Sequence, residues 1–177
     1  MRHITLITTG GTIEKTYNER TGSLENQRSI VRRMLLRLRL EDTTVSIIEL
    51  MSKDSLVMND DDRRRVVEAA RACGGSLALP TEATGLVILH GTDTLHLTGR
   101  ALHEAFSPSG PRVPVVLTGA MRPFEMKRSD ALQNLTEAVY AAGVLQPGVY
   151  CSFHGRSLRF PDVSKDHARG TFVAPGT

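Results

Sequence analysis

The stretch Leu86-Val87-Ile88-Leu89-His90-Gly91-Thr92-Asp93-Thr94-Leu95 decides the architecture of this 177-residue chain. Its first four residues are an unbroken aliphatic run, of a length that suits a buried strand. His90 to Thr94 are small, polar or hydroxylated and read as a loop. Beyond them Leu95, Leu102, Ala105 and Phe106 recur at roughly helical spacing. Strand, polar loop and helix in that order form half of a parallel crossover unit.

The same unit repeats outward in both directions. Ile4–Thr8, Val45–Leu50, Val113–Leu117 and Val149–Phe153 are rich in β-branched and aliphatic residues and read as strands. Three further apolar stripes have helical spacing: Ile30, Met34 and Leu38, backed by Arg32, Arg33, Arg37 and Arg39; Val66, Ala70 and Cys73; and Leu132, Leu135, Val139 and Ala142. The fold class is therefore α/β, a single doubly wound (Rossmann/flavodoxin-like), mostly parallel sheet with flanking helices. The tail from Arg156 to Thr177 has little pattern of either kind and reads as a loop that closes over something.

Composition narrows the function classes. With 40% hydrophobic and 23% charged residues, the chain reads as a soluble globular protein. The net charge of +3 is small and the arginines are dispersed, so nucleic acid is not an expected partner. No run approaches the ~20 apolar residues of a membrane span, and the short Ile4–Ile7 run is too brief for a signal-peptide core. Cys73 and Cys151 are far apart, without metal-site or redox spacing, and read as plain buried thiols. A cytoplasmic location is the expectation.

Each strand is followed by an unusual loop. After the first comes Thr9-Gly10-Gly11-Thr12-Ile13, after the second Ser52-Lys53-Asp54-Ser55, after the third the His90–Thr94 segment, and after the fourth Thr118-Gly119-Ala120-Met121-Arg122-Pro123. Open α/β sheets bind ligands outside the carboxyl ends of their strands, so these loops converge on one site. The Gly-Lys-Ser/Thr ending of a P-loop and the three-glycine dinucleotide fingerprint are both missing, which disfavours nucleotides. The loops instead deliver hydroxyls, Thr12 and Thr92, with Asp93 beside the second. A threonine hydroxyl needs a base before it can attack. The candidate bases are Lys15, Lys53, Lys127 and Lys165, and the pattern of residues does not choose among them. His96 and His103 lie seven apart on a helix without metal-ligand spacing, so no metal is expected, and His90 reads as a satisfied core histidine.

Taken together these segments resemble the bacterial-type L-asparaginase family, from Ile4 to about Val173. Thr9-Gly10-Gly11-Thr12-Ile13 is similar to its first signature and His90-Gly91-Thr92-Asp93-Thr94-Leu95 to its second. Gly119-Ala120-Met121-Arg122-Pro123, Ser129-Asp130 and Asn134-Leu135 follow in order. The resemblance implies hydrolysis of L-asparagine to L-aspartate and ammonia, with Thr12 as nucleophile and a covalent acyl-enzyme. Thr92, Asp93 and a lysine would relay protons; Asp162-Val163-Ser164-Lys165 matches the family's lysine segment, which selects Lys165. Tyr17 would be a proton-relay or lid residue, on a polar segment, Asn18–Gly22, suited to a mobile lid. Gly11, Ser55, Gly91, Thr92, Asp93 and Ala120 would contact substrate: Asp93 its α-amino group, Ser55 its α-carboxylate, Ala120 through its backbone. The family uses no cofactor. The expected partner is a small molecule, asparagine or glutamine, with no membrane involved, and the chain is expected to form a homo-oligomer.

Two departures qualify this. Longer members carry a C-terminal domain that supplies an acidic residue to a neighbouring subunit's site, whereas residues 1–177 read as a single N-terminal-type catalytic domain, either the family's short form or a truncated longer member. Leu56 also stands where many members have a polar residue. Two alternatives follow: a non-catalytic amino-acid-binding or regulatory domain, and an amidase acting on a larger amide, as asparaginase-like subunits of transfer-RNA amidotransferases do.

Overall fold

The computed structural model describes residues 1–75 and 83–176. The aliphatic runs form strands β1 (Arg2–Gly10), β4 (Thr43–Lys53), β5 (Gly85–Leu89), β6 (Pro114–Thr118) and β7 (Gly148–Phe153), all mutually parallel. A short hairpin, β2 (Thr16–Asn18) and β3 (Ser23–Glu25), follows the first loop. With β8 (Arg156–Arg159) at one edge, the sheet order is β4-β1-β5-β6-β7-β8. Its five parallel strands, numbered along the chain, thus stand in the flavodoxin-like order 2-1-3-4-5. The strand order reverses between β1 and β5, and at such a switch point open α/β sheets bind ligands outside the carboxyl ends of their strands.

Helices cover both faces, which the alternation of side chains along each strand explains. Leu86 and Ile88 point into one core layer, with Val66, Val67 and Ala70 of α2 (Asp60–Ala70) and Leu95, Leu102 and Phe106 of α3 (Leu95–Phe106). Val87 and Leu89 point into the other, with Val31 and Met34 of α1 (Val31–Leu35) and Leu135, Ala138 and Ala142 of α4 (Ala131–Val144). Strands buried on both faces read as continuous apolar runs, which is how β5 and β6 look in sequence.

Three expectations need correction. The Ile30–Met34–Leu38 stripe yields a helix only over Val31–Leu35, and Leu38 follows in tighter turns. The like-charged pairs Arg28–Arg32 and Arg33–Arg37, each four residues apart, weigh against continuing it. Cys73 lies not on α2 but in the turn after it, half-buried, where Gly74 takes φ 102°; Cys151 is fully buried. The tail, expected to lack strands, forms β8 together with β9 (Ser164–Asp166) and β10 (Thr171–Val173). β8 turns back antiparallel on β7 through His154 and Gly155, both at positive φ (49° and 79°), the geometry of a tight hairpin turn. These strands are too short for a two-residue period to register in sequence, and β8 exposes Arg159 at the sheet edge. Among the described residues no helix is long and apolar enough to cross a membrane.

Candidate active site

Four loops meet at the carboxyl edge of the sheet, and the glycines measure how closely. A side chain on Gly11 would strike the backbone of Gly91, one on Gly91 the side chain of Ser55, and one on Gly119 the carbonyl of His90, each inside 3.0 Å. Gly10, at φ 96°, abuts the Lys53 backbone in the same way. Only residues without a Cβ allow this approach. The loops carrying Thr12, Ser55, Thr92 and Ala120 are therefore in direct contact.

Lys165 reaches the same place from the tail. It stands in β9 opposite Phe172 of β10. Phe172 is fully buried and meets Phe153 of β7 edge-on, ring centres 5.0 Å apart, which pins the hairpin to the sheet. From there Lys165 Nζ donates to Thr92 Oγ1 at 2.9 Å and to Asp93 Oδ1 at 2.6 Å. The Lys165 side chain is 9% exposed and that of Asp93 35%. The other candidate bases are engaged elsewhere or lie outside: Lys15 pairs with Asp54 at 2.5 Å, Lys53 with Asp62 at 2.7 Å, and Lys127 is exposed. An ammonium held between a hydroxyl and a carboxylate can lend the hydroxyl a proton, and its neutral amine can take one back.

The third loop is fixed from beneath by His90. Its Nδ1 lies 2.9 Å from the Gly91 carbonyl and its Nε2 2.8 Å from Thr98 Oγ1. Complete burial pushes its pKa down to about 4, so the ring is neutral. The carbonyl can only accept, so Nδ1–H donates and Nε2 accepts the Thr98 hydroxyl. This is the satisfied core histidine expected of it.

Thr12 opens a single turn of 3-10 helix, Thr12–Glu14, directly after Gly11, and is half-buried. The turn is braced by two residues that sequence reasoning missed. Glu14 is buried beneath it; its carboxyl accepts Gly10 N–H at 3.2 Å and the Ser29 hydroxyl. Burial raises the Glu14 pKa, against the lowering effect of those bonds. Asn26, where the chain returns from the hairpin, donates from Nδ2 to the Gly11 carbonyl at 2.8 Å. Neither residue belongs to a recognisable motif, because both act through tertiary contact. Tyr17 occupies the hairpin and is 59% exposed. Its hydroxyl comes 3.9 Å from where a Gly22 Cβ would sit, so it lies along its own hairpin, and no hydrogen bond joins it to Lys165, Thr92 or Asp93.

Ser55 Oγ is buried and has no hydrogen-bond partner among the described residues. A hydroxyl left so costs about 1–3 kcal/mol unless a ligand fills it. Thr94 Oγ1 donates to the Ser55 carbonyl at 2.9 Å and fixes the second loop to the third. Leu56 and Val57, at 70% and 69% exposure, are apolar and open to solvent immediately beyond. Ala120 is fully buried in the fourth loop, which Asp130 holds by accepting the N–H groups of Met121 at 2.9 Å and Arg122 at 3.0 Å.

Comparison with known proteins places the chain in a family. A family model described as asparaginase, N-terminal, matches residues 3–175. An L-asparaginase of Thermococcus kodakarensis is 44% identical over 89 residues, covering 50% of this chain and 26% of that protein. A glutamyl-tRNA(Gln) amidotransferase subunit of Methanobrevibacter smithii is 32% identical over 141 residues, 80% of this chain and 31% of that one. The solved thermostable L-asparaginase of Thermococcus kodakarensis superposes with a TM-score of 0.81 at 29% identity, over 97% of this chain and 51% of the other. The chain thus spans about half the length of the solved relative and a third or less of the two curated ones.

Proposed function

Because this chain belongs to the asparaginase N-terminal family, we propose that it is an amidohydrolase that releases ammonia from the side-chain amide of L-asparagine. The Thr12 hydroxyl gives up its proton to the Thr92–Asp93–Lys165 relay as its oxygen bonds to the amide carbon, and the relay passes that proton on to the amide nitrogen. The oxyanion formed is held by backbone N–H groups of the third loop, a contribution of about 3–4 kcal/mol per donor. Breaking the C–N bond releases ammonia, once its nitrogen has gained a proton, and leaves an ester on Thr12. Thr92, Asp93 and Lys165 then move a proton from water as that water attacks the ester. Aspartate leaves and the Thr12 hydroxyl is restored. Asp93 receives the α-ammonium, Ser55 the α-carboxylate, and Gly11, Gly91 and Ala120 shape the pocket with their backbones. Tyr17 acts as a lid residue on the hairpin.

The observation that supports this reading best is the reach of the Lys165 ammonium to Thr92 and Asp93, 73 and 72 residues away in sequence. Ammonia release from asparagine and glutamine tests it. Thr12→Ala and Lys165→Met are each expected to lower turnover about 10³-fold or more, with the protein still folded. Unchanged rates in either variant would end the mechanism.

A second reading places the scissile amide on a larger substrate. The amidotransferase relative and the apolar exposed Leu56–Val57 rim favour it over a purely sensing domain. It predicts turnover of an extended amide, such as a glutaminyl ester, by a protein inactive on the free amino acids.

A further inference from the structure

Behind the fourth loop lies a group of side chains that the proposed chemistry does not itself use. Asp130, immediately before α4, accepts the Met121 and Arg122 N–H groups described above. Asn134, fully buried on α4, donates from Nδ2 to Asp130 Oδ2 at 3.0 Å and to the Gly119 carbonyl at 2.9 Å. His154, in the turn between β7 and β8, sets Nε2 2.9 Å from Asp130 Oδ2, and its backbone N–H donates to Asn134 Oδ1 at 3.2 Å. Burial alone would raise the Asp130 pKa, but Met121 N–H, His154 and Arg122 N–H hold it below the ordinary carboxylate value. Asp130 is therefore an acceptor, and His154 Nε2 carries a proton toward it.

Both ends of the segment Gly119–Arg122 are thus gripped from one side. The segment also lies close to Thr92: a Cβ added at Gly119 would come 3.3 Å from Thr92 Cγ2. Threonine is branched at Cβ, so the place where its methyl rests decides where its hydroxyl points. We infer that Asp130, Asn134 and His154 form a positioning unit that, through the Gly119 backbone, holds the Thr92 hydroxyl toward Lys165. This rests on the amidohydrolase reading above and adds to it three residues that touch no substrate. A loop displaced by an ångström releases the methyl, and misplacement on that scale costs catalysis about 10²-fold.

The test uses Asp130→Ala, His154→Ala and His154→Gln in the whole chain. On the best amide substrate, Asp130→Ala is expected to lower kcat about 10- to 100-fold while KM stays within about threefold. His154→Ala is expected to lose less, and His154→Gln to recover most of that loss, since its amide still donates to Asp130. A merely structural role would lower the melting temperature without this split or this rescue. The second readout needs no turnover: the NMR signal of the 13C-labelled Thr92 methyl, which lies close to Gly119. That signal is expected to shift in Asp130→Ala and to stay at its wild-type position in His154→Gln. An unmoved Thr92 methyl signal in both alanine variants overturns the inference, even if kcat falls. Wild-type protein inactive on every amide would end the functional reading alone, because the methyl signal still decides this one. If Asp130→Ala does not fold, His154→Ala, altered at a partly exposed position, carries both readouts.

Discussion

At the scale of single residues, Gly11 is the tightest constraint on the site. Its φ of 80° and ψ of −179° lie in a region that essentially only glycine visits, and its α-carbon faces the Gly91 backbone. Gly11→Ala is expected to cost about 1–3 kcal/mol and to displace Thr12, so activity falls along with stability. Gly110, at φ 75° with nothing within 4 Å of a would-be Cβ, is the natural comparison. Gly110→Ala is expected to cost roughly 1–2 kcal/mol of backbone strain and leave activity unchanged. Urea melts and ammonia release on the two variants separate crowding from strain, and equal activity in both would refute the distinction. Of the residues at the site, Thr12, Thr92 and Asp93 were legible because they follow strands in polar loops. Lys165 was one of four lysines until the family resemblance chose it. Glu14 and Asn26 were not legible, because a carboxyl under a turn and an amide on a carbonyl leave no mark on spacing.

At the scale of elements, legibility followed length and burial. β5 and β6, buried on both faces, were readable from their aliphatic runs within a residue or two. The tail strands were not, since three or four residues at an edge carry no measurable period. α2 owes its start to local chemistry: Asn59 accepts the Asp62 N–H at 3.0 Å while the Asp62 carboxylate accepts the Asn59 N–H at 3.2 Å. Asp62 also holds Lys53, whose backbone lies against Gly10. Asn59→Ala is expected to cost about 1 kcal/mol, read as a lower urea midpoint with an unchanged slope. A loss of amidase activity larger than the loss of folded protein would show that the cap also sets the second loop.

For the molecule as a whole, buried His90 makes stability depend on pH. Its folded pKa of about 4 lies below the unfolded value of 6.5, so the unfolded chain binds the extra proton between those limits. Stability is therefore expected to fall as pH drops from 6.5 to 4, by roughly 3 kcal/mol from this group. His96, lowered by burial, acts in the same direction, whereas Glu14, raised by burial, opposes it. In His90→Asn, which keeps a donor near the Gly91 carbonyl and cannot charge, the slope over this window is expected to flatten. Thermal melts at half-unit pH steps measure it, and an unaltered slope would assign the acid sensitivity elsewhere. The parallel, doubly covered sheet was legible from the repeat of strand, loop and helix. The antiparallel return of β8 was not, because Gly155 marks a turn but the four residues after it are too few to show a strand's period.

The arrival of Lys165 from the tail has a temporal meaning. During synthesis, every one of the four converging loops leaves the ribosome before the amine that β9 carries, the last of them more than a strand and a helix earlier. On the proposed reading, a nascent chain can thus bring those loops together and still be chemically silent. Closing the β9–β10 hairpin onto Phe153 is then the event that sets Lys165 beside Thr92 and Asp93.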